Sequence, residues 1–174
     1  ISNLTAKTDF TWYLNPWNTL KAGLEVSSHH SNPGNVTLVD GSTQQEPLQV
    51  PKYNSMEYDF YFSNEQSIGK KVVIRYGIRL PVWQDFGPTT VYYFNVNHQV
   101  SDTVNVGSNK SYSTFFRPEP RISVQYSFND GSFLKTSYCR TSQFMQVLSN
   151  STSPFTTLAV WAPAGSNIQP QTAD

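Results

Sequence analysis

Four charged residues at alternate positions, Glu57, Asp59, Arg75 and Arg79, form the densest candidate for chemistry in the chain. Even spacing puts Glu57 and Asp59 on one face of an extended strand, and Arg75 and Arg79 on one face of another. Pairing the two strands sets Glu57 against Arg75, in a cluster suited to docking another segment or to passing a substrate. Glu57 and Asp59 are the residue types of a glycosidase pair, but nothing else supports one. Serine, histidine and aspartate occur without a nucleophile-elbow motif, so no catalytic residue is assigned and no enzyme is expected. His29 and His30, with Asp40 in the same stretch, are metal-ligand types. Adjacent strand residues point to opposite sides, which makes the two histidines poor co-ligands; no metal and no cofactor is expected. Trp83, Phe86, Tyr92, Tyr93 and Trp161 lie in long polar stretches and are the candidate substrate contacts, by stacking. Tyr112, Phe115 and Phe116 are further aromatics of the same kind. Cys139 is the single cysteine, so no internal disulfide forms.

The elements that position these groups are strands. Residues 3–15 alternate, with Leu4, Ala6, Phe10, Trp12 and Leu14 on one face and Lys7 and Asp9 on the other. The same period recurs at 19–28, 55–62, 71–80, 121–128 and 133–140. On the apolar face every position is apolar except Thr8 and Thr136, and none is charged. On the interleaved face only Tyr13, Tyr61 and Val73 are apolar. Lys7 is expected opposite Glu25. Pro81 is expected to end its strand. Residues 90–94 and 103–106 suggest a small hairpin, and 142–148 a short helical turn.

The stretch Arg121–Arg140 carries a hairpin signal at Asn129-Asp130-Gly131-Ser132. A two-residue loop would pair Phe128 with Phe133 and turn Lys135 onto the apolar face. Keeping both apolar sets together requires an odd number of residues, as with Gly131 in a bulge.

The chain has 174 residues, enough for one domain. Twelve basic and twelve acidic residues balance, which removes any electrostatic case for a nucleic-acid partner. Charged residues are only 14%, below the usual share of about 25%. Mean hydropathy is −0.45, and no apolar run approaches a spanning helix. A transmembrane barrel evades both tests, because only alternate residues meet lipid. Asn3, Asn35, Asn109 and Asn150 begin glycosylation-type triplets, which are chance matches in a bacterial protein and meaningful in a secreted eukaryotic one.

The connections carry the architecture. Short turns at 15–18, 63–70 and 129–132 alternate with long excursions at 29–54, 81–120 and 141–174. A soluble sandwich or jelly roll can alternate apolar and polar residues, but has no reason to collect its long loops at one end. An outer-membrane barrel does so, with short turns on the periplasmic side and long loops outside. Trp12, Trp17, Phe62 and Phe128 fall beside the short turns, where an aromatic girdle sits. The expected fold is therefore all-β, with antiparallel up-and-down hairpins forming part of a transmembrane β-barrel. Lys7, Asp9, Glu25, Glu57, Asp59, Arg75, Arg79, Arg121 and Lys135 then face the lumen. Phe10, Trp12, Leu24, Phe60, Ile74, Val124, Tyr126 and Leu134 face lipid. The alternative is a soluble secreted β-sandwich that binds carbohydrate, and a weaker third is a secreted hydrolase domain.

Several stretches resemble the TonB-dependent outer-membrane receptors of Bacteroidetes. They are Tyr13-Leu-Asn-Pro, Asn18-Thr-Leu-Lys-Ala-Gly-Leu-Glu, His30-Ser-Asn-Pro-Gly, Glu57-Tyr-Asp-Phe-Tyr-Phe-Ser-Asn-Glu, Arg75-Tyr-Gly-Ile-Arg-Leu and Pro118-Glu-Pro-Arg. The longest is Leu134-Lys-Thr-Ser-Tyr-Cys-Arg-Thr-Ser-Gln-Phe, followed by Leu148-Ser-Asn-Ser-Thr-Ser, Val160-Trp-Ala-Pro and Ile168-Gln-Pro-Gln-Thr-Ala-Asp. The resemblance implies a share of a plugged barrel of about 22 strands. It implies a bacterial outer-membrane location, a small nutrient bound at extracellular loops, and import driven through TonB. No TonB box, plug domain or terminal aromatic strand is expected within this stretch. The implied partners are outer-membrane lipids, TonB acting through an N-terminal plug, and a surface lipoprotein.

Overall fold

Alternation of apolar and polar residues drives nearly the whole chain into strands. In the computed structural model none of the described residues is helical. Those residues are 2–32, 35–36, 48–49, 52–129, 131–149 and 159–174. Asp40 and Asp130 lie outside them.

In chain order the strands are β1 (Ser2–Asn15), β2 (Asn18–Ser31), β3 (Asn35–Val36), β4 (Leu48–Gln49), β5 (Tyr53–Ile68), β6 (Val72–Phe86), β7 (Thr89–Phe94) and β8 (Val100–Val106). They continue with β9 (Ser111–Phe116), β10 (Glu119–Asn129), β11 (Ser132–Cys139), β12 (Thr141–Gln143), β13 (Met145–Ser149), β14 (Ala159–Pro163) and β15 (Gln171–Ala173). One antiparallel sheet dominates, in the order β1-β2-β5-β6-β10-β11, with β9 also on β6. It is open and does not close into a barrel. The other strands form four two-stranded ribbons, β3–β4, β7–β8, β12–β15 and β13–β14.

Several elements depart from the sequence reading. β2 and β5 run on through Ser31 and back to Tyr53, into the stretch expected to be loop. β6 continues past Pro81 to Phe86. Arg117 N–H donates to Pro81 O, and the nitrogen of a strand residue points to the same side as its carbonyl. The missing N–H thus falls where β9 gives way to β10, and removes no bond to β5. β9 and β10 meet β6 in a single register: Val82 pairs with Phe116 and Arg79 with Glu119. They are one strand interrupted at Arg117-Pro118. The expected helical turn at 142–148 is replaced by β12 and β13. The hairpin at 90–106 is present as β7–β8.

The β10–β11 hairpin solves its parity problem in an unexpected place. Asn129 pairs with Ser132 across a two-residue loop, and the odd residue is Phe128, bulged out between Ser127 and Asn129. Tyr126 then meets Leu134 and Gln125 meets Lys135, so both apolar sets stay on one face.

One row of paired residues crosses the sheet through Asn15, Asn18, Gln66, Ile74, Val124 and Thr136. The first short turn closes at this row. The second lies two residues further on, beyond Ile68 and Val72, and the third four to five residues further on, beyond Asn129 and Ser132. Each hairpin is thus displaced by a little over two residues, about 8 Å along the strands for about 10 Å across them. The strands are inclined by about 40° to an axis perpendicular to the line of turns.

Candidate functional site

The sheet has two unlike faces. Among the described residues it is the odd-numbered one that other elements pack on, while the even-numbered one meets only Asp174, at Tyr138. Phe10, Trp12, Phe60, Phe62, Ile78, Ile122, Tyr126, Leu134 and Tyr138 all stand exposed on the even-numbered face. Leu24 belongs with them, and Ile74 and Val124 fill the gaps between their neighbours. On β6 this band runs from Val72 to Val82, about 34 Å along the strand and about 26 Å along the inclined axis. Asn64 and Gln66 interrupt it on β5, near the short turns, where Asn64 Nδ2 donates to Tyr76 Oη at 2.8 Å.

The odd-numbered face carries the charge. Lys7, Asp9, Glu25, Glu57, Asp59, Arg75, Arg79, Arg121 and Lys135 all belong to it, as the alternation requires. Much of this face lines a trough of about 630 Å³ that includes Lys7, Glu25, Asp59, Tyr61, Arg79 and Arg121. Arg79 is its hub. Its Nη2 lies 2.6 Å from Asp59 Oδ2 and 3.2 Å from Glu57 Oε1, and its Nη1 lies 3.4 Å from Glu119 Oε2. Arg121 reaches the same Glu119 oxygen at 3.2 Å. Glu119 is fully buried, and its other oxygen accepts the Ser142 N–H at 2.7 Å.

The expected Glu57–Arg75 pair does not form. Glu57 sits opposite Trp83, because β5 extends six residues beyond Phe62 before it turns. Arg75 instead grips Glu65, with Nε 2.8 Å from Oε2 and Nη2 3.3 Å from Oε1. Lys7 does oppose Glu25, at 3.9 Å, and also meets Asp9 at 3.6 Å. Glu119 was invisible to periodicity, flanked as it is by Pro118 and Pro120 inside an apparent loop.

Tyr61 lies flat across Gly23 in the row Asp9-Gly23-Tyr61-Arg79, and Lys7 Nζ stands 5.4 Å from its ring centre. A Cβ at Gly23 would collide with the Tyr61 ring and come within 2.6 Å of Thr8 O. Gly23→Val should therefore expel the ring and destabilise the sheet by about 1–3 kcal/mol. The midpoint of urea unfolding reads this directly, and an unchanged midpoint would show that the ring has room to move.

Above the charges, away from the short turns, lies the principal apolar core. Trp83 is 1% exposed, stacked between His29 (centroids 5.1 Å apart) and Phe144 (5.4 Å, planes within 5°). Ala162 and Ala164 are buried with it. This corrects the place of Trp83 and Phe86 among the exposed loop aromatics. Both are strand residues of β6, Trp83 is sealed by Phe144, and Phe86 is half-buried. Tyr92, Tyr93 and Trp161 remain exposed, on β7 and β14. His29 and His30 diverge, to Asn3 and Asn54 respectively. His29 Nε2 is 3.5 Å from Glu57 Oε2, at ion-pair distance without a hydrogen bond. Among the described residues no group of three histidine, cysteine or acidic side chains could hold a metal.

The face thus carries charges that are largely paired with one another, with Arg79 at their centre. No family model matches the chain, and no curated protein or solved structure matches it.

Proposed function

We propose that the chain forms part of the wall and outer loops of a TonB-dependent outer-membrane receptor. The receptor binds a nutrient at its extracellular loops and imports it through a plugged barrel. The observation that carries this reading is the uncovered apolar band on the even-numbered face, opposite a face of charges. Its height of about 26 Å suits the apolar band of an outer-membrane barrel, about 25 Å tall. The inclination of about 40° falls within the range of strand tilt in such barrels. A soluble sandwich needs a second sheet over that band, and none of the described ribbons lies there. Assignment to this receptor family rests on the sequence resemblance. Its role is binding and passage rather than catalysis, with Tyr92, Tyr93 and Trp161 as the aromatic contacts still free to meet a ligand.

Single cysteines at Leu24, Phe60 and Leu134, in a Cys139→Ser background of the full-length polypeptide, test the membrane reading. A fluorophore at each should be quenched by brominated lipid in reconstituted bilayers, and one at Ser63 should not. Equal quenching on both faces, or recovery of the native protein in solution without detergent, contradicts it. Growth of a deletion strain on single nutrients then identifies the cargo.

A further inference from the structure

The described parts of the segment after β11, namely β12, β13, β14 and the turn to Ile168, lie over the odd-numbered face as a strap. It is pinned at three points. Ser142 N–H reaches the buried Glu119, and Phe144 lies on Trp83. Ala164 N–H donates to Phe144 O at 2.6 Å, which ties the two limbs together.

The third point is Asn167, whose Nδ2 donates to Tyr92 O at 3.0 Å. Beneath the strap lies Asp85, which has no exposure at all. Its Oδ1 accepts Ser55 Oγ at 2.6 Å and Trp83 Nε1 at 2.8 Å. Its Oδ2 is buried, meets no donor at hydrogen-bond geometry among the described residues, and faces the strap about 4.0 Å from where a Cβ of Gly165 would stand. Gly165, the strap residue that faces it, offers it no side-chain donor. A carboxylate oxygen there is a buried charge without a hydrogen bond, whereas a carboxylic acid carries no charge to solvate.

We propose that Asp85 is a proton-operated latch: the strap lies down on β5 and β6 when this carboxyl is protonated and lifts when it ionises. Ionisation releases the proton to bulk water and lets water reach Oδ2 through the space that Gly165 vacates. Asp85 lies well beyond the band end at Val82, outside the stretch that would meet lipid. The latch stands independently of the membrane reading. On that reading, lifting the strap opens the charged face beneath it.

Burial raises Asp85 to about 6, against the opposing hydrogen bonds from Ser55 and Trp83 and the lowering influence of Ser113, its register partner on β9. The groups around it are Tyr53 on β5 and Tyr112 on β9, both raised by burial first and by the Asp85 charge second. Among the described residues the further titratable groups nearby are His29 on β2, on the far face of Trp83, and Glu57 on β5, opposite Trp83 and 3.5 Å from His29 Nε2. A carboxyl raised in the closed state favours closure most below its open-state value near 3.8, and that advantage is lost as pH rises through about 6.

Hydrogen exchange on the full chain, corrected for intrinsic rates, measures the latch. Protection of residues 161–168 should fall about tenfold between pH 5 and pH 7.5 while β2 and β5 stay protected. Asp85→Asn should keep protection high and flat across that range. His29→Gln should leave the pH dependence in place. Flat protection in the native chain, or an unaltered pH dependence in Asp85→Asn, overturns the latch. So does a dependence that vanishes only with His29. Should Asp85→Asn fail to fold, Ser55→Ala removes a bond that favours the ionised form. It should move the midpoint to higher pH, and an unmoved midpoint is equally decisive.

Discussion

Replacing Arg79 by methionine should be the most destabilising single change on the charged face, at about 3–5 kcal/mol. The guanidinium serves Glu57, Asp59 and Glu119 at once, and two of those carboxylates are almost wholly buried. Removing it leaves Asp59 with no cation, and leaves Glu119 only the exposed Arg121. Deleting one side of a buried ion pair is costly because the other charge stays behind without solvent. The strap should loosen too, since Glu119 also holds Ser142. The measurement is the unfolding midpoint, together with exchange at the Ser142 amide. A second change, Asp59→Asn in the Arg79→Met background, should recover part of the loss. A full-length protein that tolerates Arg79→Met within about 0.5 kcal/mol, the range of ordinary surface changes, would place these carboxylates in contact with water.

The second large effect lies on the other face. Phe62, opposite Ile78 near the middle of the band, is 46% exposed, and in water Phe62→Arg at such a position is nearly neutral. At the midplane of a bilayer the same change costs about 2–4 kcal/mol. Folding of the full-length protein into vesicles, followed by denaturant titration, should give the larger figure for Phe62→Arg. Ser63→Arg, on the charged face, should stay close to zero. Equal and small effects at both positions would sink the membrane reading.

Much of the sheet was legible because a two-residue period leaves no ambiguity over faces. Lys7 and Glu25 were placed opposite one another from alternation and a short turn, and they are partners in the structure. The errors arose where the period was masked. Asn64 and Gln66 put polar residues on the apolar face, so β5 seemed to end at Phe62, and that shortening moved Glu57 onto the wrong partner. Pro81 looked like a terminator because sequence does not say on which side its missing donor falls. Phe128 shows the same limit: parity required an extra residue near the turn but could not say which residue bulges. Long-range contacts were out of reach altogether. Nothing in the spacing of Glu119 and Ser142, or of Trp83 and Phe144, tells that they meet.

The shared register of β9 and β10 bears on how such a chain can vary. Gly87 and Lys110 close the β6–β9 stem, and the β7–β8 ribbon begins only beyond it. The pairing of Arg79 with Glu119 and of Val82 with Phe116 therefore does not depend on the length of what lies between the stem residues. The ribbon is a cassette. A longer, shorter or differently decorated ribbon would leave the register of the wall unchanged, so surface recognition is free to diversify while the sheet beneath keeps its alignment.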